Sequence, residues 1–295
     1  MTDTPKNQKN NNYIENENPE IEVLPVIEKT ENAQNQPLEI AETKEILNNK
    51  EEKSVNLSKV FLSLVIIFST FGVIFHLIPN TRGFLVNIMT EPLLFIVNIS
   101  LILWFLITNN KDKNILPMIG WLIITFVITL LLEIIGAATG LIFGEYSYGS
   151  VFNIKLFDVP IIIGFNWVVL ILSGGMIVDN FIQSLNPLKN LENNFLDFFQ
   201  ILLVSFLNAL LLGFFDWVLE PVAIFLDYWR WGNLPANQQI VPVQNYLAWM
   251  IIAFFFTLFY KFLKFKFDFV PLKLYFVIQL FFMSALNFFF TVFYN

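Results

Sequence analysis

Apolar residues in this chain gather in long, nearly unbroken blocks separated by short polar stretches. A bilayer core of about 30 Å is crossed by about twenty apolar helical residues, so blocks of that length predict transmembrane helices. That ruler finds seven, at roughly 59–78, 92–108, 115–135, 158–178, 198–218, 246–262 and 270–293, the second and sixth being short. Aromatic residues and prolines cluster at many of their ends, as expected at a membrane interface. The pattern predicts an all-α, polytopic membrane helix bundle of about seven spans over residues 58–295. Residues 1–57 break it: rich in Asn, Glu, Gln and Lys, with Pro5, Pro19, Pro25 and Pro37, they hold too few bulky apolar residues to offset ordering entropy. They are expected to form a disordered acidic tail, and they lack the basic start, short apolar run and small-residue cleavage site of a signal peptide.

Composition agrees with a membrane class: 56% of residues are hydrophobic, 17% aromatic and 14% charged, where soluble chains carry roughly a quarter charged residues. The tail holds twelve acids against six lysines, so the rest of the chain stands near neutrality despite a net charge of −7. No basic face exists to neutralise nucleic-acid phosphates. The absence of cysteine and the presence of a single histidine, His76, exclude thiolate chemistry and a multi-histidine metal centre.

Basic residues resist translocation and collect on the cytoplasmic side. Lys44, Lys50, Lys53, Lys59, Lys111, Lys113, Lys189, Lys261, Lys264, Lys266 and Lys273 flank the amino-terminal side of the spans, against Arg82, Lys155 and Arg230 on the other. The expected topology is a multi-pass protein of the cell membrane, with its amino terminus in the cytoplasm and its carboxyl terminus opposite.

In that topology His76, Glu133, Asp216 and Glu220 approach one membrane face, together with the two longest inter-span loops, 136–157 and 219–245. Ionisable groups at membrane depth usually face a bundle interior or a watered cavity, so a site is the default expectation. Glu133 opens EIIGAATGLIFGEYSYGS, whose Gly136, Gly140 and Gly144 would form a smooth helical face for a neighbouring helix or a flat ligand. Tyr146 and Tyr148 are interfacial anchors or pocket-lining hydroxyls; both readings stand. A lone histidine is more often a packing element than a catalyst, so His76 enters only as an auxiliary candidate, along with Glu145.

The second cluster reads FFDWVLEPVAIFLDYWRWGN, followed by VPVQNYLAWM. Asp216 and Glu220 lie four apart on one helical face and repel when both are ionised, so one of them is expected to hold its proton to unusually high pH. Pro221 disfavours helix at Glu220 and places the span's end there. Val222 to Leu226, too short to cross, reads with Trp229 and Trp231 as an interfacial or re-entrant lid. Arg230 pairs with Asp227 or Glu220. Asn166 and Asn208 fit interhelical hydrogen bonding. No nucleotide-phosphate loop, zinc helix or nucleophile elbow occurs in the sequence.

Taken together, Glu133, Gly136, Thr139, Gly140, Phe143, Gly144, Tyr146, Tyr148, Pro160, Trp167, Asp216, Pro221, Trp229, Trp231, Pro242, Asn245 and Trp249 resemble the membrane carotenoid-biosynthesis family that includes carotenoid 1,2-hydratases, over roughly residues 60–293. Glu220 stands where the family pattern has an aspartate, and Leu247-Ala248 replaces a leucine-glycine pair. The resemblance implies addition of water to the terminal 1,2 double bond of a ψ-end carotenoid without metal or redox cofactor. It implies Asp216, Glu220 and Glu133 as acids, with Asp216 the proton donor. The substrate would lie against Gly140, Gly144, Tyr146, Tyr148, Trp167, Trp229, Trp231, Asn245 and Trp249. The implied partners are a carotenoid, water, the lipid bilayer and other enzymes of the pathway.

Two other classes fit the same features. A nonenzymatic carotenoid or lipid binder or transporter would return its ligand unchanged, and an isoprenoid cyclase would lose the cation to ring closure without a change in mass. A prenyltransferase is disfavoured by the lack of a paired aspartate motif for magnesium diphosphate, and a retinal protein by a last span whose sole lysine, Lys273, sits at its entrance.

Overall fold

The computed structural model describes residues 59–60, 63–67, 69–185, 194–232, 239–265 and 267–294; the expected tail, 1–57, lies outside them. Six helices among the described residues are long and apolar enough to cross a membrane, preceded by a shorter apolar helix, α1 (Ser63–Leu77), at the position of the first expected span. The six are α2 (Pro79–Thr108), α3 (Ile115–Thr139), α4 (Ile162–Leu185), α5 (Asn194–Phe225), α6 (Val243–Phe262) and α7 (Val270–Tyr294).

In α4, 83% of the apolar window is buried, against 39% or less in the other five. It is the central helix, and α2, α3, α5, α6 and α7 all pack on it. Outward-facing Leu103, Ile107, Ile123, Phe206 and Phe281 are more than half exposed, which suits a protein whose outer solvent is hydrocarbon.

Two prolines that the sequence places at span boundaries lie inside helices. Helix α2 runs through Pro92 because the turn before it, Leu85–Met89, is π-helical. That looser turn contains Ile88, whose carbonyl would otherwise take the N–H that proline lacks. The expected short second span is therefore a long one. Pro221 lies inside α5, which continues to Phe225. In the turn that it disturbs, Asn287 Nδ2 of α7 donates to the Val218 carbonyl at 2.9 Å. Supplying a side-chain donor to backbone loosened by proline is how a membrane helix tolerates it. Val222–Phe225 is thus the last turn of α5, not a separate re-entrant lid.

The lid is instead β-structure. Strand β1 (Tyr146–Tyr148) pairs antiparallel with β4 (Trp229–Trp231), joining the two longest loops. Between them in sequence, β2 (Lys155–Leu156) and β3 (Val159–Pro160) form a hairpin. Its two turn residues, Phe157 and Asp158, both have positive φ, as a type I′ turn requires.

At the far ends of α4 and α6, Lys261 Nζ meets Asp179 Oδ1 at 2.6 Å and Gln183 donates to Asp179 Oδ2 at 3.0 Å. This inter-helix ion pair lies about 20 Å along α4 from Asn166, taking 1.5 Å per residue. Asn208 links three helices, donating to Thr257 Oγ1 at 2.7 Å and the Ile171 carbonyl at 3.1 Å.

Candidate functional site

The α3 helix ends at Thr139 because Gly140 adopts φ +68°, a left-handed cap whose N–H returns to the Gly136 carbonyl at 2.8 Å. Glycine takes that conformation without a Cβ penalty. The chain then turns back, and the Phe143 ring packs over Gly136, where an added Cβ would come within 2.5 Å of it. Gly144, at φ +104°, packs against Pro242. The expected smooth helical face of glycines does not form, since only Gly136 is helical; Gly140 and Gly144 shape the reversal and do not line the cavity described below.

The reversal delivers β1 to β4 in the register Tyr146 to Trp231, Ser147 to Arg230 and Tyr148 to Trp229. Side chains alternate across a strand, so both tyrosines and both tryptophans share one face, and Ser147 and Arg230 take the other. Gly149 closes the pairing through its N–H to the Tyr228 carbonyl, 2.9 Å.

On the inner face each aromatic pair converges on one carboxylate oxygen. Tyr146 and Tyr148 donate to Glu133 Oε2 at 2.6 and 2.8 Å. Trp229 and Trp231 donate to Glu220 Oε2 at 3.0 and 2.8 Å. The second oxygen of each acid takes one donor: Trp167 Nε1 on Glu133 Oε1 at 2.8 Å, and Asn245 Nδ2 on Glu220 Oε1 at 2.9 Å. Asn245 gives its other hydrogen to Asp216 Oδ2 at 2.7 Å, while the buried Asp216 Oδ1 has no partner among the described residues.

A carboxylate oxygen has two acceptor positions. The paired tyrosines and paired tryptophans fill both on Oε2, so a proton on Glu133 or Glu220 belongs on Oε1. Asp216 keeps an oxygen free altogether. Three ionised carboxylates in one apolar site would repel strongly, and the arrangement leaves defined positions for the protons that relieve this. Burial, and then the neighbouring Glu133, hold the Tyr146 hydroxyl far above the ordinary phenol range, and the same two causes act on Tyr148; both therefore remain donors.

The acids Glu133 and Glu220 line a cavity that encloses about 800 Å³ of space, open mouth included. Tyr146, Tyr148, Trp167, Trp229, Trp231, Asn245 and Trp249 are also on its wall. Trp167 and Trp249 meet with ring centroids 4.3 Å apart. Asp216 is fully buried and is not on the wall. It sits behind Asn245, so direct contact of Asp216 with a ligand, as expected of a donor, is not what this geometry provides.

The auxiliary candidates fall outside the cavity wall. His76 Nδ1 bonds the Gly72 carbonyl at 2.6 Å, and its ring meets the Phe282 ring edge-on at 5.9 Å, a packing arrangement. Glu145 is exposed. Of Arg230's two candidate partners the structure selects Asp227, at 2.5 Å on the outer face of the β1–β4 pair.

Sequence reasoning missed Glu91. It is 5% exposed, and it accepts from the backbone N–H groups of Asn153 at 2.8 Å and Ile154 at 2.9 Å. It thereby anchors the loop carrying Phe152, part of the cavity wall. A buried acid at the edge of an apolar run was the available signal, hidden because Pro92 looked like the span's start.

A family of carotenoid biosynthesis proteins matches residues 90–294. The chain belongs to that family. No curated protein and no solved structure matches it. As a carotenoid biosynthesis family member, the chain is a membrane protein whose role lies in the carotenoid pathway. The matched residues include all three acids, their aromatic donors and Glu91, and exclude His76.

Proposed function

We propose that this protein is a cofactor-independent carotenoid hydratase, adding water across the terminal 1,2 double bond of a ψ-end carotenoid. The observation that carries the reading is the cavity itself: two carboxyls, each with one oxygen clamped by paired aromatic donors and the other open to a proton, at a wall that is mostly aromatic and apolar. The reaction needs a neutral acid beside an apolar slot, to protonate C2 and leave a tertiary cation at C1. Water then captures that cation.

In this reading Glu220 faces the substrate as proton donor. Asp216 lies behind it on the same Asn245 amide, which donates to both carboxyls and holds them in place, and Glu133 is the second acid on the wall. Removing Asp216 from direct contact revises the expectation from sequence, on the ground that it does not line the cavity whereas Glu133 and Glu220 do. The faces of Tyr146, Tyr148, Trp229 and Trp231 stabilise the cation through their quadrupoles, each by about 0.5–2 kcal/mol when desolvated. One end group occupies the cavity, and the rest of the polyene leaves through its mouth. The proposed setting is the cell membrane with the amino terminus in the cytoplasm, which reporter fusions to the loops near Lys111 and Arg230 would test.

The deciding experiment is coexpression with producers of lycopene or γ-carotene, followed by mass analysis of the pigment. A hydratase returns pigment heavier by one water. Unchanged pigment indicates a binder or transporter, and a cyclised product of equal mass indicates a cyclase; either outcome ends this reading.

A further inference from the structure

The cavity wall carries two further polar groups that the acids do not account for. Asn166 of α4 and Gln279 of α7 both line it. The orientation of Asn166 is fixed from outside. Asn98 Nδ2 donates to the Leu94 carbonyl at 2.8 Å, and to Asn166 Oδ1 at 2.9 Å. A backbone carbonyl only accepts, so that atom of Asn98 is its amide nitrogen, and Asn166 must turn its oxygen toward it. The Asn166 amide nitrogen is left with no acceptor among the described residues. Gln279 Nε2 donates to the Tyr275 hydroxyl at 2.5 Å, leaving its carbonyl oxygen without a donor among the described residues. The cavity wall thus offers an N–H donor on α4 and a carbonyl acceptor on α7, two helices that pack together. A bound oxygen that uses both must accept and donate together, which water or a hydroxyl does and a hydrocarbon or ketone does not.

Resting on the hydratase reading, we propose that Asn166 and Gln279 hold the water that captures the carbocation, with Asn98 as the positioning residue that aims Asn166. Protonation uses the π electrons of the C1–C2 bond to form a C–H bond at C2, leaving C1 positive. The oxygen held by the two amides gives a lone pair to C1. The resulting oxonium returns a proton to the carboxylate that released one, so the acid is regenerated and the sum is substrate plus water.

The test uses membranes carrying the full chain, in D₂O, with a ψ-end hydrocarbon carotenoid, for the wild type, Asn166→Leu and Gln279→Met. An acid that still works without a held water forms the cation and loses a proton again, leaving deuterium in pigment that has gained no water. The expected result is hydration lower by about tenfold or more in both variants, with deuterium incorporation within about twofold of wild type. Retained exchange also shows that the variants are folded. Equal loss of hydration and exchange, or no loss of hydration, overturns the assignment. If the variants impair only carotenoids that already bear a hydroxyl, the pair holds a ligand hydroxyl and the assignment to water is wrong. A wild type that adds no water removes the hydratase reading and this inference with it, a failure visible before any variant is made.

Discussion

Tyr146 and Trp231 face each other across β1 and β4 with ring centroids 5.3 Å apart, yet they serve different acids: Tyr146 donates to Glu133 and Trp231 to Glu220. The strand pair therefore ties a carboxyl on α3 to one on α5 through side chains neither helix carries. Any shift in its register would move donors away from both acids at once, because a one-residue slip turns alternate side chains to the other face.

The first prediction concerns the acids. In Glu220→Gln the amide oxygen stays on the two indole N–H groups, so its NH₂ is turned toward Asn245, which already donates there. The clamp survives and the transferable proton does not. Hydration is expected to fall by about 10²-fold or more, the usual contribution of general acid catalysis. Glu133→Gln places its NH₂ against Trp167 in the same way and is expected to lose activity too. Turnover in membranes supplied with a ψ-end carotenoid checks both; full activity in both would remove the carboxyls from the chemistry.

The second prediction follows from the shared sheet. Tyr146→Phe and Trp231→Phe each open one acceptor position on an Oε2 atom, allowing the proton to settle away from Oε1. Each is expected to lower turnover by about tenfold, a loss of one hydrogen bond to a charged group. Because the rings touch, the double variant should depart from the product of the singles by a coupling of about 0.5–3 kcal/mol. Strict additivity would show that the two acids work independently.

How much of this was legible in the sequence depended on the range of the interaction. Glu133, Asp216 and Glu220 stand out because an acid inside an apolar run is costly, and the topology places them at one depth without knowledge of contacts. Tyr146, Tyr148, Trp229 and Trp231 were readable as neighbours of those acids. Their pairing was not, since nothing local in a three-residue strand selects a partner about eighty residues away. The glycine series misled for a related reason: spacing of four suits a helix, but Gly140 sits at the left-handed cap that ends one. Pro221 and Pro92 misled because the groups that accommodate them, Asn287 and a π-helical turn, lie on another helix and in the preceding residues.

The third prediction tests that pairing. A Cβ on Gly149 would lie 1.9 Å from the Asp227 carbonyl oxygen, and backbone cannot give way as a flexible side chain can. Gly149→Ala is expected to force β1 from β4 and to destabilise the protein by about 1–3 kcal/mol, the usual cost of overpacking. Thermal unfolding in detergent measures it, and loss of hydration should accompany the shift. An unchanged midpoint would mean that the close approach of these loops is not held in the folded state.

The fourth prediction separates binding from chemistry. Glu91 touches no acid of the cavity; its carboxyl accepts the N–H groups of Asn153 and Ile154, just beyond Phe152. Glu91→Ala leaves both donors without their acceptor, costing about 1–3 kcal/mol for a buried group left unsatisfied, and it frees the loop that presents Phe152 to the wall. Glu133 and Glu220 keep all their donors, so the proton-transfer step is intact in enzyme that has bound substrate. The expected signature is a KM raised by about fivefold or more with kcat changed by less than about twofold, the pattern for loss of binding that is uniform between ground and transition states. Glu91→Gln retains one acceptor oxygen and should fall between. A fall in kcat at unchanged KM would instead place the Phe152 loop in the chemical step, and an effect of Glu91→Gln as large as that of Glu91→Ala would show that the charge of the carboxylate matters rather than its hold on the two backbone donors.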